Sequence, residues 1–229
     1  MRTEITHVDT ETLPWMWADN GSTATKILST DPTTSDRTVL LRSAPRAETE
    51  SSRRRAHFHT GTEEFLTLGP DFTFDNDIWL PRRSYVFLPA GCVHGTDVRV
   101  PNGYVMYLRT TGDVTPVFQD AQSHSQAPSL PDTQKPGAIV SVADNRAAPA
   151  LPSHAPSRLI ALARDDAQPQ TVDVGCGFEL FVVDGKFVTA DGRTFCGSSY
   201  ACLPSETQLI IDQVLDSTVI MISPILPKV

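Results

Sequence analysis

The sequence predicts an all-β protein whose strands close into barrels, and three observations carry that expectation. Thirteen glycines and eighteen prolines cut the 229-residue chain into short apolar runs bounded by turn residues, which is the rhythm of strands and hairpins. No stretch longer than about ten residues holds a 3.6-residue apolar period, so helices should be few and short. The chain also resembles itself at a fixed offset, which asks for the same architecture twice. Closure into barrels follows because open hairpin sheets leave unpaired edges.

In chain order the runs are TVLLRSA (38–44), EEFLTLG (63–69), SYVFLPAG (84–91), GYVMYLR (103–109), RLIALAR (158–164), FELFVVDG (178–185) and SYACLPS (199–205). Each has the length and the β-branched or aromatic content of a strand. Between them, from Gly112 to Ser157, the composition turns to Pro, Ser, Ala, Gln and Asp, with only PGAIVSVAD looking structured. Such a stretch reads as a linker. The expected division is an N-terminal barrel over 1–112, a linker with one short strand over 113–157, and a C-terminal barrel over 158–229.

Sliding the chain by 115 residues places Glu64 on Glu179, Phe72 on Phe187, Ser84 on Ser199, Tyr85 on Tyr200, Leu88 on Leu203, Pro89 on Pro204, Asp97 on Asp212 and Met106 on Met221, without a gap. SYVFLP against SYACLP is the strongest segment, and internal duplication is the working expectation.

Composition narrows the function. Nineteen basic against twenty-seven acidic side chains leave a net charge of −8, which repels a phosphate backbone and argues against nucleic acid as a partner. No run approaches the roughly 18 apolar residues of a membrane-spanning helix, and MRTEITHVDTETLPW lacks the pattern of a secretory signal. The expected setting is therefore the cytoplasm, with no membrane partner. Cys92, Cys176, Cys196 and Cys202 form no Cys-x-x-Cys pair; they read as mostly buried thiols, with a single bridge as the alternative.

The segment that carries chemistry is RRRAHFHTGTEEF. On an extended strand His57 and His59 project to the same face, spaced to grip one ion. Gly61 offers a tight turn, and Glu63 returns a carboxylate. Thirty-one positions after Glu63, LPAGCVHG brings His94 to a strand end. Three neutral nitrogens and one carboxylate suit a borderline divalent metal. Phe65 and Met106 are candidates for the cavity wall, core packing being the alternative for both. Arg42 and Arg109 end apolar strands and could clamp an anionic oxygen, and Arg55 could reach the mouth of the site. Glu64 should point opposite to Glu63, as a spare carboxylate or an outward salt-bridge partner.

HFHTGTEEFLTLGP followed by YVFLPAGCVHG resembles the two motifs of the cupin superfamily, small jelly-roll (double-stranded β-helix) barrels that bind a metal through two His and a Glu from the first motif and a His from the second. The resemblance implies His57, His59, Glu63 and His94 as metal ligands, in two tandem cupin-type barrels. Three positions depart from the pattern: Pro70, Arg83 and Val98 stand where the motifs carry Gly, Gly and Asn. The wider stretch 13–112 is similar to cupins of the zinc-binding anti-sigma-factor type and of the acetylacetone and dihydroxyacetophenone dioxygenase type. At the 115-residue offset the four ligand positions fall on Val172, Val174, Phe178 and Leu209, so the second barrel should be an apolar, metal-free copy, since an unpaired buried His or Glu is costly.

What the resemblance implies for function is a non-haem dioxygenase with one divalent ion, Fe(II) favoured and Zn, Mn or Ni as alternatives. Its substrate would be a small β-diketone, hydroxyketone or enediol, with dioxygen as co-substrate and Glu63 as catalytic base. A metal-dependent isomerase or lyase uses the same site without dioxygen. A zinc-holding sensor or small-molecule-binding module is the non-catalytic alternative. Pairing into a homodimer is a further expectation of the resemblance.

Overall fold

The computed structural model describes residues 2–46, 56–75, 78–95, 98–118, 140–141, 157–164 and 169–225. In chain order the elements are β1 (Ile5–Asp9), a 3-10 turn (Thr10–Thr12), β2 (Met16–Trp17), β3 (Thr23–Thr30), β4 (Arg37–Ser43), β5 (His57–Phe58), β6 (Thr62–Gly69), β7 (Phe72–Asp75), β8 (Ile78–Leu80), β9 (Ser84–Leu88), β10 (Tyr104–Thr111), β11 (Val117–Phe118) and β12 (Val140–Ser141). They continue with β13 (Arg158–Leu162), β14 (Gln170–Asp173), β15 (Phe178–Thr189), β16 (Thr194–Cys196), β17 (Ser199–Leu203) and β18 (Gln208–Pro224). The 3-10 turn is the one helical element among the described residues, and no helix there is long and apolar enough to cross a membrane. The fold is all-β, as the breaker-punctuated runs predict.

The chain divides into two compact units, one of Trp15–Ser141 and one of Met1–Pro14 with Val142–Val229. The first is built on an antiparallel sheet in the order β12-β9-β6-β10-β4-β3-β2, with the small pairs β11-β5 and β7-β8 beside it. Period-2 alternation sends Phe65 of β6, Val86 and Leu88 of β9, Met106 and Leu108 of β10 and Val39 of β4 to one side, where Phe72 and Phe74 of β7 meet them in an apolar core. All five residues of β9 are buried, so this sheet is covered on both faces. That is why Glu64 differs from the outward carboxylate expected of it. It does point away from Glu63, yet it is 2% exposed and bound to Arg109 and Tyr85.

The second unit orders its strands β1-β17-β15-β18-β13, with β14 on β18 and β16 on β15. Phe178, Leu180, Val182, Phe187, Phe195, Leu209, Ile211, Ile220 and Ile222 fill its core. Here the first strand departs from the expected division: residues 5–9 pair with β17, Val8 opposite Tyr200, and so belong with the C-terminal half. Of the expected linker, β12 is the short strand, its Val140 opposite Tyr85; residues 119–139 and 142–156 lie outside the described residues. Cys92 and Cys202 are buried, Cys196 is exposed, and all four thiols are free.

Strand pairing repeats at the offset read from the sequence. Glu63, Glu64, Phe65 and Leu66 of β6 face Leu88, Phe87, Val86 and Tyr85 of β9; Phe178, Glu179, Leu180 and Phe181 of β15 face Leu203, Cys202, Ala201 and Tyr200 of β17. The residue entering each partner strand has a left-handed backbone, Arg83 at φ 67° and Ser198 at φ 70°. The cupin pattern carries glycine at position 83, and this conformation is what glycine adopts most cheaply.

Candidate metal centre

The two histidine segments meet through their backbones before their rings do. His57 N–H donates to the His94 carbonyl (3.0 Å) and His94 N–H returns the bond to the His57 carbonyl (2.8 Å), while Gly91 N–H caps the His59 carbonyl (2.8 Å). Gly61 N–H bonds the Asp113 carbonyl, turning the chain between His59 and Glu63. A Cβ on Gly61 would fall 1.9 Å from the Thr111 carbonyl oxygen, so only glycine permits that crossing. Gly95, at φ 80°, lies so close under His57 that a Cβ there would be 2.8 Å from the ring's Cε1.

These constraints bring the three imidazoles together. Ring centroids lie 4.4 Å (His57–His94), 5.0 Å (His57–His59) and 5.1 Å (His59–His94) apart, and one nitrogen from each falls within 4.8 Å of the others. Glu63 Oε2 lies 3.1 Å from His59 Nε2 and 3.7 Å from His94 Nε2, about the spacing of neighbouring ligands on one ion with bonds near 2.1 Å. His94 Nδ1 is 3.0 Å from the Cys92 carbonyl. A carbonyl only accepts, so Nδ1 carries the proton and Nε2 presents its lone pair to the centre. His59 and His94 are buried, and the Glu63 side chain is 16% exposed.

The electrostatics fit a cation. Burial alone would push the Glu63 carboxyl up, but the His59 hydrogen bond and the charges of His94, His59 and His57 together hold it below the ordinary carboxylate value. The Glu63 hydrogen bond in turn raises His59 above its usual value, against the opposing effect of burial, with backbone of Thr115 and Val114 adding to the rise. Three imidazoles and one carboxylate are a donor set for a borderline divalent ion.

A cavity of about 200 Å³ opens on this cluster, walled by Leu41, Phe65, Phe72, Phe74, Met106 and Leu108 and with Arg37, Tyr104 and Thr110 as polar members. All four predicted ligands and both predicted wall residues, Phe65 and Met106, therefore lie on one cavity. Arg109 does not: it is 5% exposed on the opposite face, its Nη1 2.8 Å from Glu64 Oε1. Arg42 is exposed beside Trp15 and Trp17, and Arg55 lies outside the described residues. Sequence reasoning passed over Arg37, Tyr104, Phe72 and Phe74. The parity of Arg37, Val39 and Leu41 along RTVLLRS was the available signal for the first.

Comparison with known proteins places this geometry. Residues 3–115, a stretch that contains the whole histidine cluster, match the family described as the ChrR Cupin-like domain. Solved structures with the same fold include a candidate dioxygenase of Nostoc punctiforme (17% identity, TM-score 0.65, 98% of this chain and 84% of that one). A Geobacillus kaustophilus protein (11%, 0.57, 100% and 98%) and the formate complex of Lactobacillus farciminis oxalate decarboxylase (11%, 0.57, 96% and 86%) share it too. No curated protein matches the chain.

Proposed function

We propose that the chain is a bicupin whose first barrel is a metal-dependent dioxygenase acting on a small β-diketone, hydroxyketone or enediol, and whose second barrel is a degenerate copy. The observation that carries the reading is the convergence of His57, His59, His94 and Glu63 at the end of a mainly apolar cavity. The second copy rests on Val172, Val174, Phe178 and Leu209, which pack as apolar core at the corresponding positions; the His57↔His94 bridge recurs there as Val172↔Leu209.

His57, His59 and His94 would hold the ion, with Glu63 as the fourth ligand. The bound metal would supply Lewis-acid polarisation of the substrate oxygens and a template for dioxygen. The chain's own residues do the rest. Glu63, its carboxyl held low by its imidazole neighbours, would loosen from the ion to take the acidic proton of the diketone or enediol. Phe65, Phe72 and Phe74 keep water from the reacting face, and Met106 and Leu108 receive the apolar body of the substrate.

The test is metal analysis of protein purified without a chelating tag, combined with oxygen uptake on simple β-diketones. Iron with oxygen consumption is the expected result. Oxygen-independent turnover of the same substrates would move the assignment to an isomerase or lyase, and tightly held zinc without turnover would make the barrel a sensor or binding module.

A further inference from the structure

Strand register places a cation in the wall of the metal cavity. Across the sheet, Glu63 of β6 stands opposite Thr110 of β10, and Thr110 stands opposite Arg37 of β4. The three share one row and, by alternation, one face. Two strand spacings, about 10 Å, separate the backbones of Glu63 and Arg37, a span that a guanidinium on its long stem can shorten. Arg37 lines the cavity and is exposed, which puts it at the mouth. Its guanidinium has no ion-pair partner among the described residues, unlike Arg2, Arg109 and Arg193, each of which meets a carboxylate.

The rest of the wall away from the ligands is mainly apolar: Leu41, Phe65, Phe74, Val98, Met106 and Leu108. The chain as a whole carries a net charge of −8, so its general field repels anions. An arginine at the entrance with no ion pair among the described residues offsets that repulsion locally and presents a planar fork suited to two oxygens.

We infer that Arg37 is a specificity-determining residue that recognises a negatively charged oxygen group, a carboxylate or enolate, on a small substrate with an apolar body. The inference deepens the metal-dependent reading and rests on it for the site's chemistry: one end of the substrate meets the metal ligands, and its anionic oxygens meet Arg37.

The experiment is calorimetric titration of the full-length, metal-loaded protein with benzoate and with its neutral analogue benzamide, repeated for Arg37→Gln and Arg37→Lys, with metal content measured in each. Benzoate should bind wild type about 10-fold or more tightly than Arg37→Gln, with Arg37→Lys between them. Benzamide should not distinguish the three proteins, and metal content should not change. Equal benzoate affinity in wild type and Arg37→Gln, or no benzoate binding to wild type, overturns the assignment. The same titration on metal-free protein keeps the two ideas apart: failure of the metal reading appears as absent metal in every variant, whereas failure of the anion site appears as benzoate affinity independent of residue 37.

Discussion

Gly95 and His57 illustrate how single residues set the site. With Gly95 at φ 80° and its Cβ position 2.8 Å from the His57 ring, Gly95→Ala carries backbone strain of about 1–2 kcal/mol and must displace the imidazole. A lower melting temperature and metal binding about 10-fold weaker or more are expected; unchanged affinity in a metal titration would contradict the packing described. A second consequence concerns pH. His59 titrates above 6.5 in the metal-free chain and Glu63 below 4.5. The raised His59 value adds stability that is full below 6.5 and is lost as pH rises through its folded value. The lowered Glu63 value adds stability that is full above 4.5 and is lost as pH falls through its folded value. Melting of the metal-free protein should thus show this pair contributing most between 4.5 and 6.5, a contribution absent in Glu63→Gln. Metal and proton compete for His59, so metal affinity should fall as pH drops from about 8 to about 5; a flat profile would count against histidine ligation.

Among the elements, the strand pairs β6-β9 and β15-β17 each bury a charged cluster. Glu64 accepts from Tyr85 Oη at 2.7 Å and from Arg109 at 2.8 Å; Glu179 accepts from Tyr200 and from Arg2. Burial, then the Glu64 charge, holds the Tyr85 phenol far above its ordinary pKa, so it remains a donor. Glu64→Leu breaks the buried ion pair with Arg109 and should cost about 3–5 kcal/mol. The double variant with Arg109→Met should cost clearly less than the sum of the single changes; additivity in denaturant melts would refute the coupling. This cluster also marks how far the sequence could be read. The Glu64/Glu179 and Tyr85/Tyr200 identities were visible at the 115-residue offset, but their meaning was not, because alternation alone cannot tell a solvated face from a second buried one. The arginines do not follow the offset: Arg109 faces Glu64, whereas Ser223 faces Glu179 and Pro224 stands at the position equivalent to Arg109. The missing cation is supplied by Arg2, far away in the chain. The four candidate ligands were legible because period-2 geometry and a fixed motif spacing suffice to place them. Parity along β4 could give the face that Arg37 shares with Val39 and Leu41, but its place in one row with Glu63 needed the register of three strands that the sequence does not specify.

At the scale of the whole molecule, the two units differ in chemical character at a few positions related by the 115-residue offset. Where Trp15–Ser141 keeps three imidazoles and a carboxylate, the other unit has Phe178 and Leu209 buried in its core and the half-buried Val172 and Val174 packed against it. That contrast calls for one metal ion per chain, held by the first unit alone. X-ray absorption at the metal edge, with elemental analysis of the same sample, tests this most directly. One ion per chain is expected, with imidazole scattering from about three histidines and loss of that signal in His94→Ala while the fold remains intact. A chain that binds no divalent ion, or one whose absorption spectrum is unchanged by His94→Ala, would contradict it.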